Sequence, residues 1–216
     1  MRISHETIYK SLFIQTRGVL REELKKHLCM KRMFRRARSH QTPSRGNIQG
    51  AVSIRERPAE IEDRAIPGHW EGDLIVGSLN SAIATIVERH YRFTLLCEVK
   101  NKGALAVIEA LAGQMHRLPR ELSKSLAWDR GQELSAHEAF SLATDMAVYL
   151  CDPSNPWQRG TNENTNGLLR QYFPKGTCLS GFSQKELDKI AEKLNTRPRK
   201  TLKFKTPAQV LQAALQ

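Results

Sequence analysis

Hydrophobic positions in the centre of the chain follow two patterns, short apolar runs and helical spacing. Three runs rich in β-branched, leucine and aromatic residues, with short breaks between them, predict an antiparallel meander at 69–77, 82–89 and 93–99. Helical spacing then alternates with two further apolar runs. The predicted elements are a helix at 103–118, a strand at 125–129, a helix at 136–146, a strand at 147–151 and a helix at 161–173. The order is therefore βββ-α-β-α-β-α.

This order predicts the fold class. The last two strands are each reached through a helix, and such crossovers join parallel strands. An α/β domain follows, with a mixed five-stranded sheet flanked by helices. Apolar spacing also predicts helical extensions at both ends, at 4–14, 19–30, 183–195 and 206–214. Thr206-Pro207 is typical of an N-cap followed by proline at the first helical position.

Pattern and charge together divide the chain into four regions. We expect a helical N-terminal segment, a basic linker, the α/β core and a basic helical C-terminal extension, at 1–30, 31–58, 59–176 and 177–216. The net charge of +12 is spread unevenly: +9 over 25–55, −5 over 56–169 and +7 over 170–216. Basic arms suit a polyanion such as DNA, although basic runs can also serve solubility alone. The acidic centre then needs a separate reason, and a carboxylate cluster that holds cations would supply one.

Other features of the composition narrow the class of protein. No stretch approaches the roughly 20 apolar residues of a membrane span, and the first residues lack the apolar region of a signal peptide. We therefore expect a cytoplasmic protein with no membrane partner. The four cysteines are widely spaced without a CxxC pair, which favours reduced thiols over a structural zinc site.

Three carboxylates are predicted to meet where the parallel strands end. Asp73 lies in the first strand, Asp129 ends the fourth, and Glu163 begins the helix after the fifth. Asp129 could instead begin a turn, and Glu163 could stabilise a helix dipole. Asp73 is the hardest to explain otherwise, because an acid inside an apolar strand is costly unless it is paired or liganded. Glu71 and Glu133 lie nearby and are not predicted as ligands.

Such a cluster has a definite chemistry. Three carboxylates at one point repel each other unless cations neutralise them, and oxygen ligands favour Mg²⁺ or Mn²⁺ over zinc. Two such ions can activate an attacking hydroxyl and stabilise a leaving oxygen in phosphodiester chemistry.

Polar and basic side chains around Glu163 suit a DNA surface. Amides and arginines can contact phosphates and bases, and an indole can stack on a base. The candidates are Trp157, Gln158, Arg159, Asn162, Asn166, Arg170 and Lys175, with Arg35, Arg36, Arg38, Arg197, Arg199 and Lys200 in the basic arms. Two alternatives stay open: Trp157 as a core or lid aromatic, and the amides as caps of the helix or braces for the carboxylates.

Several motifs carry a family resemblance. "PWQRGTNENTNGLLRQYFPKG" resembles the signature around the catalytic glutamate of insertion-sequence-thirty family transposases, and "GHWEGDLIVG" and "WDRGQEL" resemble the family's aspartate motifs. The 33 residues between Asp129 and Glu163 fit its DDE spacing. Flanking blocks, "SHETIYKSLF", "VERHYRFTLL" and "LNTRPRKTLKFKTPAQV", are also similar, so the resemblance covers almost the whole chain.

The resemblance implies an integrase-like, ribonuclease H-like core in which Asp73, Asp129 and Glu163 bind two Mg²⁺ ions, for which Mn²⁺ can substitute. It implies cleavage at the ends of a mobile element, attack of the freed 3′-hydroxyl on target DNA, and a homo-oligomer on DNA. Family members usually carry a helix-turn-helix region before the block at which this chain starts.

From the resemblance we expect a transposase. The alternatives are a truncated, non-catalytic DNA-binding regulator and a nuclease that does not join strands.

Overall fold

A computed structural model describes residues 7, 48, 50–61, 66–152 and 155–215 of the chain. Within these ranges the predicted order of elements is confirmed, and most bounds agree within one to three residues. The strands are β1 His69–Val76, β2 Ala82–Glu88, β3 Thr94–Glu98, β4 Ser125–Trp128 and β5 Ala147–Leu150. The helices are α1 Ala104–Met115, α2 His137–Thr144, α3 Gly160–Leu169, α4 Gln184–Asn195 and α5 Pro207–Ala214.

Helix α3 is shorter than predicted. It begins one residue early, at Gly160, and ends at Leu169 rather than at 173. Pro174 explains the difference, because a proline disfavours the helical conformation in the residue before it. The chain turns instead over 170–173, which buries Phe173 completely.

The five strands form the predicted mixed sheet, in the order β3-β2-β1-β4-β5. β1, β2 and β3 are antiparallel neighbours, and β4 and β5 run parallel to β1. β1 is therefore central, with an antiparallel partner on one side and a parallel partner on the other. The α/β fold class predicted from the sequence is confirmed.

The sheet is buried on both faces. α1 packs on β2 and β3 and α2 packs on β5 across one face, whose core includes Trp70, Trp128 and Phe140. α3 packs on β1 and β2 and α4 packs on β3 across the other, whose core includes Ile75 and Phe173. Because side chains alternate along a strand, Glu71 and Asp73 share the face of Ile75 and point towards α3.

The segments on either side of the core are also ordered where they are described. Ser53 pairs with Leu150 of β5 and Ile54 is buried, so the last residues of the predicted basic linker lie along the sheet. Ser183 and Thr206 cap α4 and α5 with capping boxes, and Pro207 is the first residue of α5 as predicted. Residues 44–216 form one compact unit.

Two predictions concern residues that lie outside the described ranges. These are the helices at 4–14 and 19–30, of which only Thr7 is described, and the basic side chains of Arg35, Arg36 and Arg38. The four-region division of the chain stays a prediction. None of the helices in the described ranges is long and apolar enough to cross a membrane.

Candidate active site

Helix α3 is held against the sheet by a carboxylate from β1. The Glu71 side chain is fully buried, and its Oε2 accepts hydrogen bonds from the backbone N–H groups of Thr161 (2.8 Å) and Asn162 (3.1 Å). These are first-turn N–H groups, which have no partner inside a helix. The other oxygen, Oε1, accepts from Nε of Arg89 at 3.0 Å. Glu71 therefore caps α3 from another element, and Arg89 balances its charge.

Two asparagines one turn apart fix the same face of α3. Asn162 is fully buried, and its Nδ2 donates to the backbone oxygens of Glu71 (2.9 Å) and Thr85 (3.1 Å). Asn166 accepts at Oδ1 from the Thr85 hydroxyl (2.9 Å), and its Nδ2 donates to Oδ2 of Asp73 at 3.2 Å. These amides brace the sheet and one carboxylate, which was one of the two roles the sequence left open.

Asp73 and Asp129 come together around one guanidinium. Nη1 of Arg159 lies 3.3 Å from Oδ2 of Asp73, and Nη2 lies 3.6 Å from Oδ2 of Asp129. Nη1 also donates to the backbone oxygen of Gly72 at 2.8 Å. The Asp73 side chain is 30% exposed and that of Asp129 is 15% exposed, so the pair lies at the edge of solvent. A positive charge therefore stands between the two predicted ligands.

Close packing of β1 and β4 brings the aspartates to this point. Gly72 lies against the Trp128 ring, and a Cβ at position 72 would lie 2.2 Å from it. Any larger residue there would have to displace the Trp128 ring. The glycine before Asp73 and the tryptophan before Asp129 thus pack together beside the point where the two carboxylates meet.

The electrostatics of the site are dominated by burial and like charge. Burial raises the pKa of Asp73, Arg159 opposes this rise, and the neighbouring Asp129 adds to it. Burial would lower the pKa of Arg159, but the carboxylates of Asp73 and Asp129 outweigh it and raise that pKa. The carboxylates of Asp73 and Asp129 are thus held close together at a place where water screens their repulsion only weakly.

Glu133 is a further acid beside the aspartates. Burial raises the pKa of Glu133, and the charges of Asp129 and Asp73 raise it further. Asp129 also begins a turn, as its alternative interpretation proposed, since its Oδ1 accepts from the N–H of Gly131 at 3.0 Å. Its other oxygen faces Arg159, so the turn and the site use different oxygens of one carboxylate.

Glu163 stands on the same face of α3 as Asn166, which contacts Asp73. It precedes Asn166 by three residues, a spacing that places two side chains together on a helix. Its side chain is half-buried. Across the described part of the chain, no group of three or more His, Cys, Asp or Glu side chains has the geometry of a metal site. Two predicted ligands therefore lie together, and the complete triad stays a prediction.

The residues predicted to contact DNA divide into exposed and internal sets. Trp157 is 66% exposed, which excludes the core alternative, and Lys175 and Lys200 are also exposed. Gln158 holds Asp152 through Nε2 to Oδ2 at 3.0 Å. The partly exposed candidates are Gln158, Asn166, Arg170, Arg197 and Arg199.

Two of these residues lie inside the structure. Arg159 is only 9% exposed and contacts the aspartates, and Asn162 has no exposed surface. A contact of either residue with DNA stays a prediction.

The sequence prediction also missed Glu71 and Arg89. Glu71 is an acid inside an apolar strand, the same signal that singled out Asp73. That signal calls for a partner, and Arg89 at the end of β2 was available. The predicted meander implies the pairing of β1 with β2 but not its register, which sets Trp70 opposite Glu88 and brings Glu71 and Arg89 together.

Comparison with known proteins gives close sequence relatives. The chain is 50% identical over 215 residues to the transposase InsI of insertion sequence element IS30A from Escherichia coli K12, covering 98% of this chain and 56% of that protein. It is 49% identical over 216 residues to the transposase of IS1086 from Cupriavidus metallidurans, covering 100% of this chain and 64% of that protein. The chain thus spans 56–64% of the length of these two relatives. No family model matches it.

Solved structures agree with the fold. An intasome of simian T-cell lymphotropic virus in complex with PP2A regulatory subunit B56 gamma matches at a TM-score of 0.54 and 20% identity, covering 79% of this chain and 59% of that one. The catalytic core domain of BIV integrase matches at a TM-score of 0.51 and 17% identity, covering 68% and 95%. These likenesses show the fold, that of integrase catalytic cores. By sequence over nearly its whole length, the chain belongs to the IS30 family of transposases.

Proposed function

We propose that this chain carries the catalytic core of a DDE transposase, which cleaves DNA at the ends of an insertion sequence and joins the freed 3′-hydroxyl to target DNA. The observation that carries the proposal is the convergence of Asp73 and Asp129 on one guanidinium beside the helix that bears Glu163. Relatives that are named transposases, and the integrase-like fold, support the same reaction class.

The residues at this site suit divalent metal ions. Arg159 already places a cation between Asp73 and Asp129, and every predicted ligand is a carboxylate oxygen, which Mg²⁺ and Mn²⁺ prefer. Asp73, Asp129 and Glu163 would hold two such ions. When bound, the ions would lower the pKa of an attacking hydroxyl or water and stabilise the leaving oxygen.

The protein's own part is to position these carboxylates. Asn166 orients Asp73 through its 3.2 Å hydrogen bond, and the Gly131 N–H fixes the rotamer of Asp129. Glu71 and Asn162 fix α3 against β1 and β2, which sets where Glu163 stands relative to the strands. A carboxylate held in one orientation loses little entropy when a cation binds, so the rigid frame favours binding.

DNA is the proposed partner, both as element ends and as target. The exposed Trp157 offers a stacking face, and Arg170, Lys175, Arg197, Arg199 and Lys200 offer charge to phosphates. Arg35, Arg36 and Arg38 would add affinity that does not depend on sequence. In this proposal, residues 59–176 form the catalytic core, and the regions at 1–30, 31–58 and 177–216 bind DNA or a second copy of the chain.

A second candidate function is a non-catalytic DNA-binding regulator derived from a transposase. One observation favours it: in the described residues the three acids do not form a three-ligand metal site, and Arg159 pairs with two of them. Such a protein would bind DNA in EDTA and form no products in Mg²⁺. A nuclease of the same fold would form cleaved products without joined ones.

The test is strand transfer by purified protein in Mg²⁺ or Mn²⁺, on pre-cleaved element-end DNA with a target plasmid. We expect joined products from the wild type and at least about a 100-fold loss in Asp129→Asn and Glu163→Gln, since even changes that only support a metal ligand cost 10–100-fold. Glu109→Gln, an exposed acid on α1, is the matched control and should keep full activity.

Two results would contradict the proposal. Full strand transfer by Glu163→Gln would remove Glu163 from the triad, and a simultaneous loss in Glu133→Gln would move that role to Glu133. Absence of products from the wild type, with DNA binding intact, would favour the regulator.

A further inference from the structure

A cavity of about 230 Å³ lies beside α3, away from the aspartates. Three segments that are distant in the chain line it: the turn between β2 and β3, the first turns of α3, and the 3-10 turn Lys200–Leu202 in the C-terminal extension. Apart from a glycine of α3, its lining residues are Arg92, Thr161, Asn164, Thr165, Arg199 and Thr201. All six carry hydrogen-bonding groups, and none is an acid.

Arg199 gives the cavity a positive charge and one donor without a partner. Its Nη2 donates to the backbone oxygen of Leu194 at 3.3 Å, while its buried Nε has no hydrogen-bond partner. Burial lowers the pKa of Arg199, and the positive charges of Arg197 and Arg92 lower it further. Like charges held together in this way are relieved when an anion binds between them.

Arg92 is built into the cavity by an unusual backbone. Its φ of 61° lies in the left-handed region, which non-glycine residues seldom adopt. Its Nη1 donates to the Thr161 hydroxyl at 2.6 Å, so the guanidinium is fixed against the first turn of α3. A costly backbone conformation that positions a charged side chain is characteristic of functional sites.

The cavity and the aspartates lie at different faces of one helix. At about 100° per residue, Asn164 points away from the direction of Asn162 and Asn166, which face the sheet, while Thr161 and Thr165 point to the side. A helix with its side chains is about 10–12 Å across, so the cavity and the sheet-facing side chains of α3 lie at most roughly that far apart. At about 3.4 Å of rise per nucleotide of one strand, this distance corresponds to roughly three nucleotides.

We propose that this cavity binds a single backbone phosphate of DNA, a few nucleotides from the phosphodiester that lies at the aspartates. The inference rests on the proposed function for its choice of ligand. Guanidinium groups with hydroxyl and amide donors match a phosphodiester, whose non-bridging oxygens only accept hydrogen bonds. The contact carries no base information, and its role is to fix the register of the strand on the helix that bears Glu163.

The test is equilibrium binding of the protein to a labelled duplex in EDTA, measured by fluorescence anisotropy over a series of salt concentrations. Binding weakens as salt rises, so the slope of log K against log salt is negative. We expect Arg199→Gln and Arg92→Gln each to make this slope shallower by about 0.9, the value for one lost phosphate contact. The loss should be equal on two unrelated sequences. Arg199→Lys, which keeps the charge, should restore most of the slope.

The matched control is Arg120→Gln, an exposed arginine in the 3-10 turn before β4. A slope change in Arg120→Gln equal to that in the cavity variants would overturn the proposal, because any arginine would then serve. An unchanged slope in both cavity variants, with native circular dichroism, would overturn it as well.

A second measurement separates DNA from free phosphate. Inorganic phosphate at millimolar concentration should raise the Tm of the wild type and not that of Arg199→Gln. If phosphate stabilises the wild type while the DNA salt slope is unchanged in the variants, the cavity is a site for a free anion and the DNA proposal fails. Because these assays run without metal and without chemistry, they remain readable if strand transfer is absent.

Discussion

Two acids of strand β1, Glu71 and Asp73, lie two residues apart on the same face, and the protein treats them in opposite ways. Glu71 is fully buried, and hydrogen bonds from Arg89 and two backbone N–H groups satisfy its oxygens. Asp73 is 30% exposed and shares Arg159 with Asp129. Glu71 has partners of its own, whereas Asp73 divides one cation with a neighbour.

The difference separates a structural carboxylate from one that, under the proposed function, is available for chemistry. A buried charge whose hydrogen bonds are all made resists change, because removing one partner leaves the others unsatisfied. A carboxylate that shares its counterion with another acid, at the edge of solvent, can exchange that counterion for a metal ion. Both acids carry the same sequence signal, a carboxylate inside an apolar strand, and only their partners distinguish them.

The largest expected effect comes from Glu71→Ala, which breaks the structural side of the comparison. It leaves Arg89 buried without its carboxylate and two N–H groups of α3 without an acceptor. We expect the free energy of unfolding to fall by about 3–5 kcal/mol, the usual cost of breaking a buried pair. Urea unfolding followed by circular dichroism measures it, with the exposed Glu121→Gln as control. A loss below about 1 kcal/mol would contradict the structural role of Glu71, because its contacts would then contribute little to stability.

Arg159→Gln tests the other side. Without the guanidinium, Asp73 and Asp129 repel each other, and we expect a loss of about 1–2 kcal/mol in EDTA, smaller than for Glu71→Ala because both side chains reach solvent. Mg²⁺ should then replace the missing charge and raise the Tm of Arg159→Gln more than that of the wild type. At 100 times its Kd, a bound ion stabilises by about 2.7 kcal/mol.

The control for Arg159→Gln is the double variant with Asp73→Asn, in which the Mg²⁺ effect should disappear. Equal responses of the wild type and Arg159→Gln to Mg²⁺ would mean that Arg159 and the metal do not occupy the same place.

The smallest effect concerns Glu133, whose pKa burial raises above its ordinary value of 4.5. A raised pKa in the folded state means that the folded protein binds the proton more tightly than the unfolded chain does. The resulting stability is complete below pH 4.5 and is lost as the pH rises through the folded pKa. Glu133→Gln lacks this loss, so its stability relative to the wild type should increase from pH 4 to pH 8. Urea midpoints across this range provide the measurement, and a constant difference would contradict it.

Sequence pattern predicted the order, type and approximate bounds of the elements because each strand and helix carries its own periodicity. The end of α3 was predicted less well, since the apolar positions of 168–173 continue a helical pattern although the chain turns before Pro174. The burial of two residues predicted to contact DNA has one cause. Arg159 and Asn162 read as surface residues in a polar segment, and only the packing of α3 on β1 and β2 places them inside.

Whether a residue predicted to contact DNA is exposed also depends on the tertiary fold. Trp157 is exposed as a stacking residue requires, whereas the sequence singled out Arg199 as a DNA contact without indicating that it lies near Arg92. Residues 92, 161 and 199 meet through a turn, a helix and an extension, so their proximity belongs to the tertiary fold alone. Patterns along the sequence indicate local conformational preference. They do not show which distant segments meet to form a site.

The cap on α3 has a consequence for how the molecule folds. Its sequence, GTNENTNGLL, is rich in glycine, threonine and asparagine, which are weak helix formers. The acceptor for its first N–H groups comes from a strand 90 residues earlier in the chain. A helix of this kind gains most of its stability from tertiary contacts. The segment that bears Glu163 should therefore become helical only as β1 and β2 pair, which makes assembly of the site a late and cooperative event in folding.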